Sequence, residues 1–193
     1  MPSFATILSG LAALPLAFSA AIVPRQAGGG TRTLFAAADF DFLNGQPLSA
    51  SGGAFYIGVP TNAPCTLDAP QCAQYSNKTA VLIDSLSSSV GMYSTVPSRV
   101  YVAQNGVLSF TEPGQVNAVP EGSYQSPFDG QGGVLHFGGG NFAGWIACPL
   151  GAPGQLPYQI LGRVSSMGAV CAGAVNMAIT TQNIDSVAAY EYI

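Results

Sequence analysis

Short runs of β-branched and aromatic residues, each cut off within a few positions by Gly, Pro or Asn, recur along the chain from residue 54 to residue 193. They are "AFYIGV" (54–59), "AVLID" (80–84), "RVYVA" (99–103), "VLSF" (107–110), "GVLHF" (133–137), "GWIAC" (144–148), "YQILGRV" (158–164), "AVNMAITT" (174–181) and "VAAYEYI" (187–193). Segments of this length and composition read as strands, because branched and aromatic side chains suit a pleated, half-buried surface. No useful length of sequence carries apolar residues at the 3.6-residue spacing of an amphipathic helix. The expected fold is therefore all-β: a single-domain antiparallel β-sandwich, with a closed β-barrel or a trefoil as alternatives. Within it, "RVYVAQNGVLSF" predicts a hairpin whose Asn105-Gly106 turn is type I′, the type that needs positive φ at both central residues.

Charge narrows what such a chain can bind. Only 7% of residues are charged, five Lys and Arg against nine Asp and Glu, where an average soluble domain carries about 25%. That balance excludes nucleic acid as a partner. With 24 Gly and 14 Pro in 193 residues, the surface must be built from small neutral side chains and turns. A net charge of −4 gives weak colloidal repulsion, so association with other molecules or with a matrix is expected.

Export is written at the N-terminus. "FATILSGLAALPLAF" (4–18) is apolar but short for a membrane span, and Ala17 and Ser19 suit a cleavage site. Residues 1–19 are read as a signal peptide, although its first residues lack Lys or Arg. Residues 20–33 are read as a flexible leader with Arg25 as a processing site, and 34–193 as the folded domain. The C-terminal "DSVAAYEYI" carries no long apolar tail, so no membrane anchor is expected. Cys65, Cys72, Cys148 and Cys171 are an even set in a secretory context, which favours two disulfides. The preferred pairing is Cys65–Cys72, closing the loop "CTLDAPQC", and Cys148–Cys171, joining two neighbouring strands. Zinc is disfavoured because the first pair is spaced C-x6-C and no His lies beside either pair. Asn77 heads "NKT", the one N-x-S/T acceptor sequence in the chain, and is a candidate glycosylation site on an exposed loop.

Catalytic constellations are weak. The single His, His136, sits on an alternating run, and no G-x-S-x-G elbow accompanies it. Asp39 and Asp41 in "ADFDF" would share a strand face roughly 7 Å apart, a separation glycosidases use. Yet a solvated face with Phe40 and Phe42 turned inward explains the same alternation. "GGG" at 138–140 precedes neither Lys-Ser/Thr nor a helix, so a turn is expected in place of a phosphate loop. No C-x-x-C is present for redox chemistry, and the residues call for no metal and no cofactor. A hydrolase would need Asp39, Asp41, Glu112 or His136 to converge in one pocket. The remaining cluster is "GGVLHFGGGNFAGWIACP" (132–149), which holds His136, the only Trp and Cys148. With Tyr124 and Phe128 nearby, Trp145 and Phe142 either present an aromatic ligand platform or fill the core beside the Cys148 disulfide. The core reading is preferred, as part of a hairpin and a disulfide-anchored strand.

A set of ordered motifs adds a resemblance. "LSASGGAFYIG" (48–58), "VPSRVYVAQNGVLSFTEP" (96–113), "FAGWIACP" (142–149), "PYQILGRV" (157–164) and "CAGAVNMAI" (171–179) together resemble the fungal secreted cell-wall proteins of the PhiA type, an IgE-binding-protein-like family. The likeness spans roughly residues 34–193. The chain departs from that pattern at Leu48-Ser49, where the family commonly carries a glycosylation acceptor, and at Pro97-Ser98-Arg99 before the hairpin, and so looks like a divergent paralogue. The resemblance implies an extracellular or cell-wall location and a non-enzymatic structural role in wall integrity, spore-bearing-cell formation or conidiation. Its implied partners are wall polysaccharide or other wall proteins. It implies no catalytic residue, and it places Cys148 and Cys171 on structural cysteines. The competing expectation is a secreted carbohydrate-binding or host-directed effector module.

Overall fold

The computed structural model describes residues 30–184 and 188–193. The signal peptide expected at 1–19 and Arg25 of the leader lie outside the described residues. Twelve strands make up nearly all the regular structure: β1 (Thr31–Ala37), β2 (Leu48–Ser51), β3 (Ala54–Ile57), β4 (Val81–Asp84), β5 (Ser89–Met92), β6 (Val100–Val102), β7 (Leu108–Phe110), β8 (Phe128–Asp129), β9 (His136–Phe137), β10 (Trp145–Pro149), β11 (Tyr158–Gly162) and β12 (Val175–Asn183). A helical turn, α1 (Ala69–Cys72), is capped by the Asp68 carboxylate, which accepts from the Gln71 N–H at 3.1 Å.

The strands pair antiparallel in the order β5-β4-β1-β12-β10-β11-β3-β7-β6, with β2 added to β3 and β8-β9 forming a separate pair. Strand β12 turns this path into a sandwich. Its first residues, Val175–Met177, pair with β10, while Ala178–Asn183 pair with β1, so one strand belongs to two sheets. Val175, Met177, Ile179 and Thr181 are buried and Asn176 and Gln182 exposed, the period-2 pattern of a strand with one face on the core. Leu34, Val81 and Ile83 from one sheet meet Phe55, Ile57 and Ile160 from the other in a common core. Each such side chain stabilises the fold by roughly 1.5–3 kcal/mol relative to exposure. The ends of the path touch at one bridge, Gly91–Arg99. A single bridge is not a ladder, so the sheets do not close into a barrel.

Several boundaries differ from expectation. β1 begins at Thr31, inside the span read as leader, because the C-terminal half of β12 supplies a ladder for Arg32 and Thr33. Residues 38–45 form a turn: Leu43 and Asn44 N–H both donate to the Phe40 carbonyl. Phe40 consequently points outward at 52% exposure, and Asp39 and Asp41 share no strand face. At the C-terminus the expected strand 187–193 is absent over its described part; one parallel bridge, Ala189–Ser94, stands in its place. Both disulfides pair as expected, Cys65–Cys72 and Cys148–Cys171. The second ties β10 to the loop ahead of β12 instead of joining two strands, since Cys171 precedes Val175.

The β6–β7 hairpin forms with a different turn. Ala103 and Val107 close a three-residue loop through a 2.9 Å bond, and Gly106 alone has positive φ, 88°. This is the type I turn followed by a left-handed bulge residue, not type I′. Asn105 Oδ1 accepts from the Val107 N–H, which suits a side chain held over its own turn. The turn rests on β11, where Gly162 N–H donates to the Gly106 carbonyl at 2.8 Å. A Cβ at residue 106 would stand 2.7 Å from the Gly162 carbonyl oxygen. Gly106→Ala is expected to cost about 1–3 kcal/mol from the positive φ alone, read as a lowered urea midpoint under oxidising conditions; an unchanged midpoint would show that the hairpin relaxes freely.

Candidate functional site

Two regions bring together the residues singled out by sequence, and they differ in kind. The first is the stretch 132–149. It is not one hairpin: β9 pairs with β8, through Phe128–Phe137 and Asp129–His136, while β10 pairs with β11 and β12. Between them Phe142 N–H donates to the Gly139 carbonyl across Gly140 (φ 61°) and Asn141 (φ 52°). Positive φ at both central residues is the type I′ signature, so that turn occurs here and not at 105–106. Gly139 is required by contact, since a Cβ there would lie 2.5 Å from the Phe137 ring.

The glycine turn lets aromatic rings close over one another. Phe142 lies 4.8 Å from Trp145, Phe137 lies 5.5 Å from Phe142 and 4.7 Å from Phe128, and Tyr124 edges onto Phe137 at 6.3 Å. Trp145 is 3% exposed and its indole N–H donates to the Leu135 carbonyl at 2.9 Å. An accessible stacking platform at Trp145, Phe142 and Tyr124 is therefore not formed: Trp145 is core, and Phe142 and Tyr124 pack against that core half-buried. His136 is exposed and lines a cleft with Asp129, whereas Glu112 lines a different cleft beside Tyr192. Asp39 and Asp41 sit exposed on the 38–45 turn, so these four do not converge. Among the described residues no three His, Cys, Asp or Glu side chains group as metal ligands.

The second region is a groove of 690 Å³ between β1, β2 and the segments 60–61 and 77–79. Its volume falls in the range of small-molecule sites. Strand alternation places it: Leu34 and Ala36 point to the core, so Thr33 and Phe35 face outward. A bridge between Phe35 and Pro47 brings β2 alongside. Half-buried Phe35 supplies an apolar wall, and Thr33, Ser49, Thr61, Asn77 and Lys78 supply hydroxyls, an amide and one ammonium. These groups donate and accept hydrogen bonds, and among the described residues no carboxylate or imidazole lines the groove. The arrangement suits a neutral, hydroxyl-rich ligand with one apolar face.

The floor of this groove is fixed by buried hydrogen bonds. Thr79 Oγ1 accepts from the Ala50 N–H at 2.7 Å and shares a 2.7 Å bond with Thr61 Oγ1. Tyr192, fully buried, donates to the Lys78 carbonyl at 2.7 Å and accepts from the Ala80 N–H at 3.1 Å. Burial pushes the Tyr192 phenol up to about 12, the Ala80 N–H acting in the opposite direction. Asn77 is exposed, as the glycosylation reading requires. The groove is not legible in the sequence because Thr31-Arg32-Thr33 are polar and Leu34-Phe35-Ala36 apolar, with no period-2 alternation; the outward Thr33 and Phe35 emerge only once β1 pairs with β12.

No protein-family model, curated protein or solved structure matches the chain. Fold and groove define it as a disulfide-bonded, all-β sandwich protein.

Two outcomes test this geometry. Trp145→Ala should cost about 3–5 kcal/mol through the cavity it leaves, and Trp145→Phe less, with the Leu135 carbonyl still orphaned; equal stability of all three chains in denaturant would show the ring carries no packing. Tyr192 is neutral when folded and its phenol is held above its ordinary value, so its contribution is full below pH 10 and disappears as pH rises through 12. That contribution amounts to about 2–3 kcal/mol, and alkaline denaturation midpoints should show this decline in the parent but not in Tyr192→Phe.

Proposed function

We propose that this chain is a non-enzymatic secreted protein of the fungal cell wall. Its role is structural, in wall integrity or in conidiation and spore-bearing-cell development, and neutral wall polysaccharide or other wall proteins hold it in place. The observation that carries the reading is the Phe35 groove, whose hydroxyl, amide and ammonium lining beside an aromatic wall matches uncharged sugar polymers better than charged or purely apolar ligands. Two disulfides fit an oxidising, exported environment. Among the described residues no helix is long and apolar enough to cross a membrane. The ordered motifs from Leu48 to Ile179 supply the wall context through their resemblance to PhiA-type proteins.

The same groove favours one second reading, a carbohydrate-binding or host-directed effector module acting on a single polymer. The two separate in a pull-down of the disulfide-intact chain against insoluble chitin, β-glucan and whole fungal wall, beside folded Phe35→Ala. Binding to whole wall, with Phe35→Ala weakening it by about fivefold, the size of one lost aromatic contact, is the expected result. Saturable binding to one purified polymer, abolished by the substitution, would favour the module. Absence of binding to every matrix would overturn the wall reading and favour a freely secreted effector.

A further inference from the structure

We propose that Asn77 is N-glycosylated and that its acceptor segment is open only until residues 188–192 dock, with Tyr192 as the closing clamp. The acceptor Asn77-Lys78-Thr79 needs an accessible Asn and the hydroxyl of its third residue. In the folded chain Asn77 is exposed, but Thr79 is 4% exposed and its hydroxyl is engaged by Ala50 N–H and Thr61. The backbone on either side is held by the last described residues. Ser76 N–H donates to the Ala188 carbonyl, the Tyr75 ring meets Tyr190 edge-on at 5.4 Å, and the Tyr192 hydroxyl bonds both Lys78 and Ala80. The contacts at Ser76, Tyr75, Lys78 and the Ala80 N–H come from residues 188–192, and they complete a hold that Ala50 and Thr61 begin at the Thr79 hydroxyl.

Residues 188–192 are synthesised after the acceptor. Tyr192 follows Thr79 by 113 residues, so at about 5–20 residues per second the acceptor lacks the Tyr192 bonds to Lys78 and Ala80 for about 6–23 s of synthesis. Transfer within that interval is complete in its chemistry. The Asn77 side-chain nitrogen bonds to C1 of the first sugar of a lipid-linked pyrophosphate oligosaccharide. The C1–O bond to pyrophosphate breaks with its electrons leaving on the lipid pyrophosphate, and the amide releases one proton. Because Asn77 lines the Phe35 groove, the resulting glycan stands at its rim. The inference rests on the export reading, since the donor is found in the secretory lumen.

The full chain translated with microsomes, beside Asn77→Gln, tests site and export together. A protease-protected product with a glycosidase-sensitive mass increase, lost in Asn77→Gln, is expected. A protected product without the increase overturns the site, and an unprotected product overturns export and the proposal with it. The clamp is tested with purified oligosaccharyltransferase and lipid-linked donor on unglycosylated protein. The folded, disulfide-intact chain should react at least tenfold more slowly than the reduced and alkylated chain, and folded Tyr192→Phe at least threefold faster than the folded parent. Equal rates for folded and alkylated chains overturn the closing step, and an unaltered rate for Tyr192→Phe overturns Tyr192 as its agent.

Discussion

Strand β12 is the constraint on which the remaining architecture depends. It is the longest strand, and its two halves pair with different neighbours, β10 through Val175–Met177 and β1 through Ala178–Asn183. A one-residue slip in this strand would turn Val175, Met177 and Ile179 outward and bury Asn176 and Gln182. It would disturb both sheets at once, because each takes its register from the same backbone. The Leu135 N–H also donates to the Ile179 carbonyl at 2.8 Å, so the approach to β9 is aligned from the same strand. Leu135 in turn accepts from the Trp145 indole. Register in β12 thus reaches the aromatic cluster through two hydrogen bonds.

That chain of dependence explains how a sequence with so few charges reaches a unique packing. Specificity comes from places where only one residue type fits. Gly106 sits where a Cβ would strike β11, and Gly139 where a Cβ would strike Phe137. Trp145 brings both a large apolar ring and one donor, and the fold provides one acceptor for it. Thr79 does the same with a hydroxyl at the junction of Ala50 and Thr61. Trp145 and Thr79 each take their partners from another segment, so misplacing that segment leaves the group unsatisfied at a cost of about 1–3 kcal/mol.

The strands of the core were legible because alternation and turn residues are local signals. "RVYVA" and "VLSF" became β6 and β7, "GWIAC" became β10, and the cysteines paired as their spacing suggested. What escaped sequence reading depends on partners. Arg32 and Thr33 look like leader until β12 offers them a ladder, and "VAAYEYI" looks like a strand although Ala189 makes only a single bridge. Phe40 reads as inward only if "ADFDF" is a strand, and the 38–45 turn lies there instead. The Asn-Gly pair named the right hairpin and the wrong turn, since the contact of Gly106 with Gly162 is a tertiary fact. The candidate groove was hidden for the same reason: its residues come from β1, β2 and two loops, and no stretch of sequence contains more than a fragment of it.

The C-terminal segment connects folding to the groove. Tyr192 is not bound there by a strand ladder; it acts through one hydroxyl that bonds on both sides of Thr79, at Lys78 and Ala80. Its ring also packs edge-on to Phe110 at 6.5 Å, and Phe110 meets Phe55 at 5.7 Å. Desolvating a phenol is unfavourable unless its oxygen is partnered, so the ring enters the core as the 78–80 backbone comes into place to receive it. The groove floor and the aromatic core around Phe110 therefore form together. A ligand that binds the completed groove stabilises the docked C-terminus by the same free energy with which docking favours the ligand, as linkage requires.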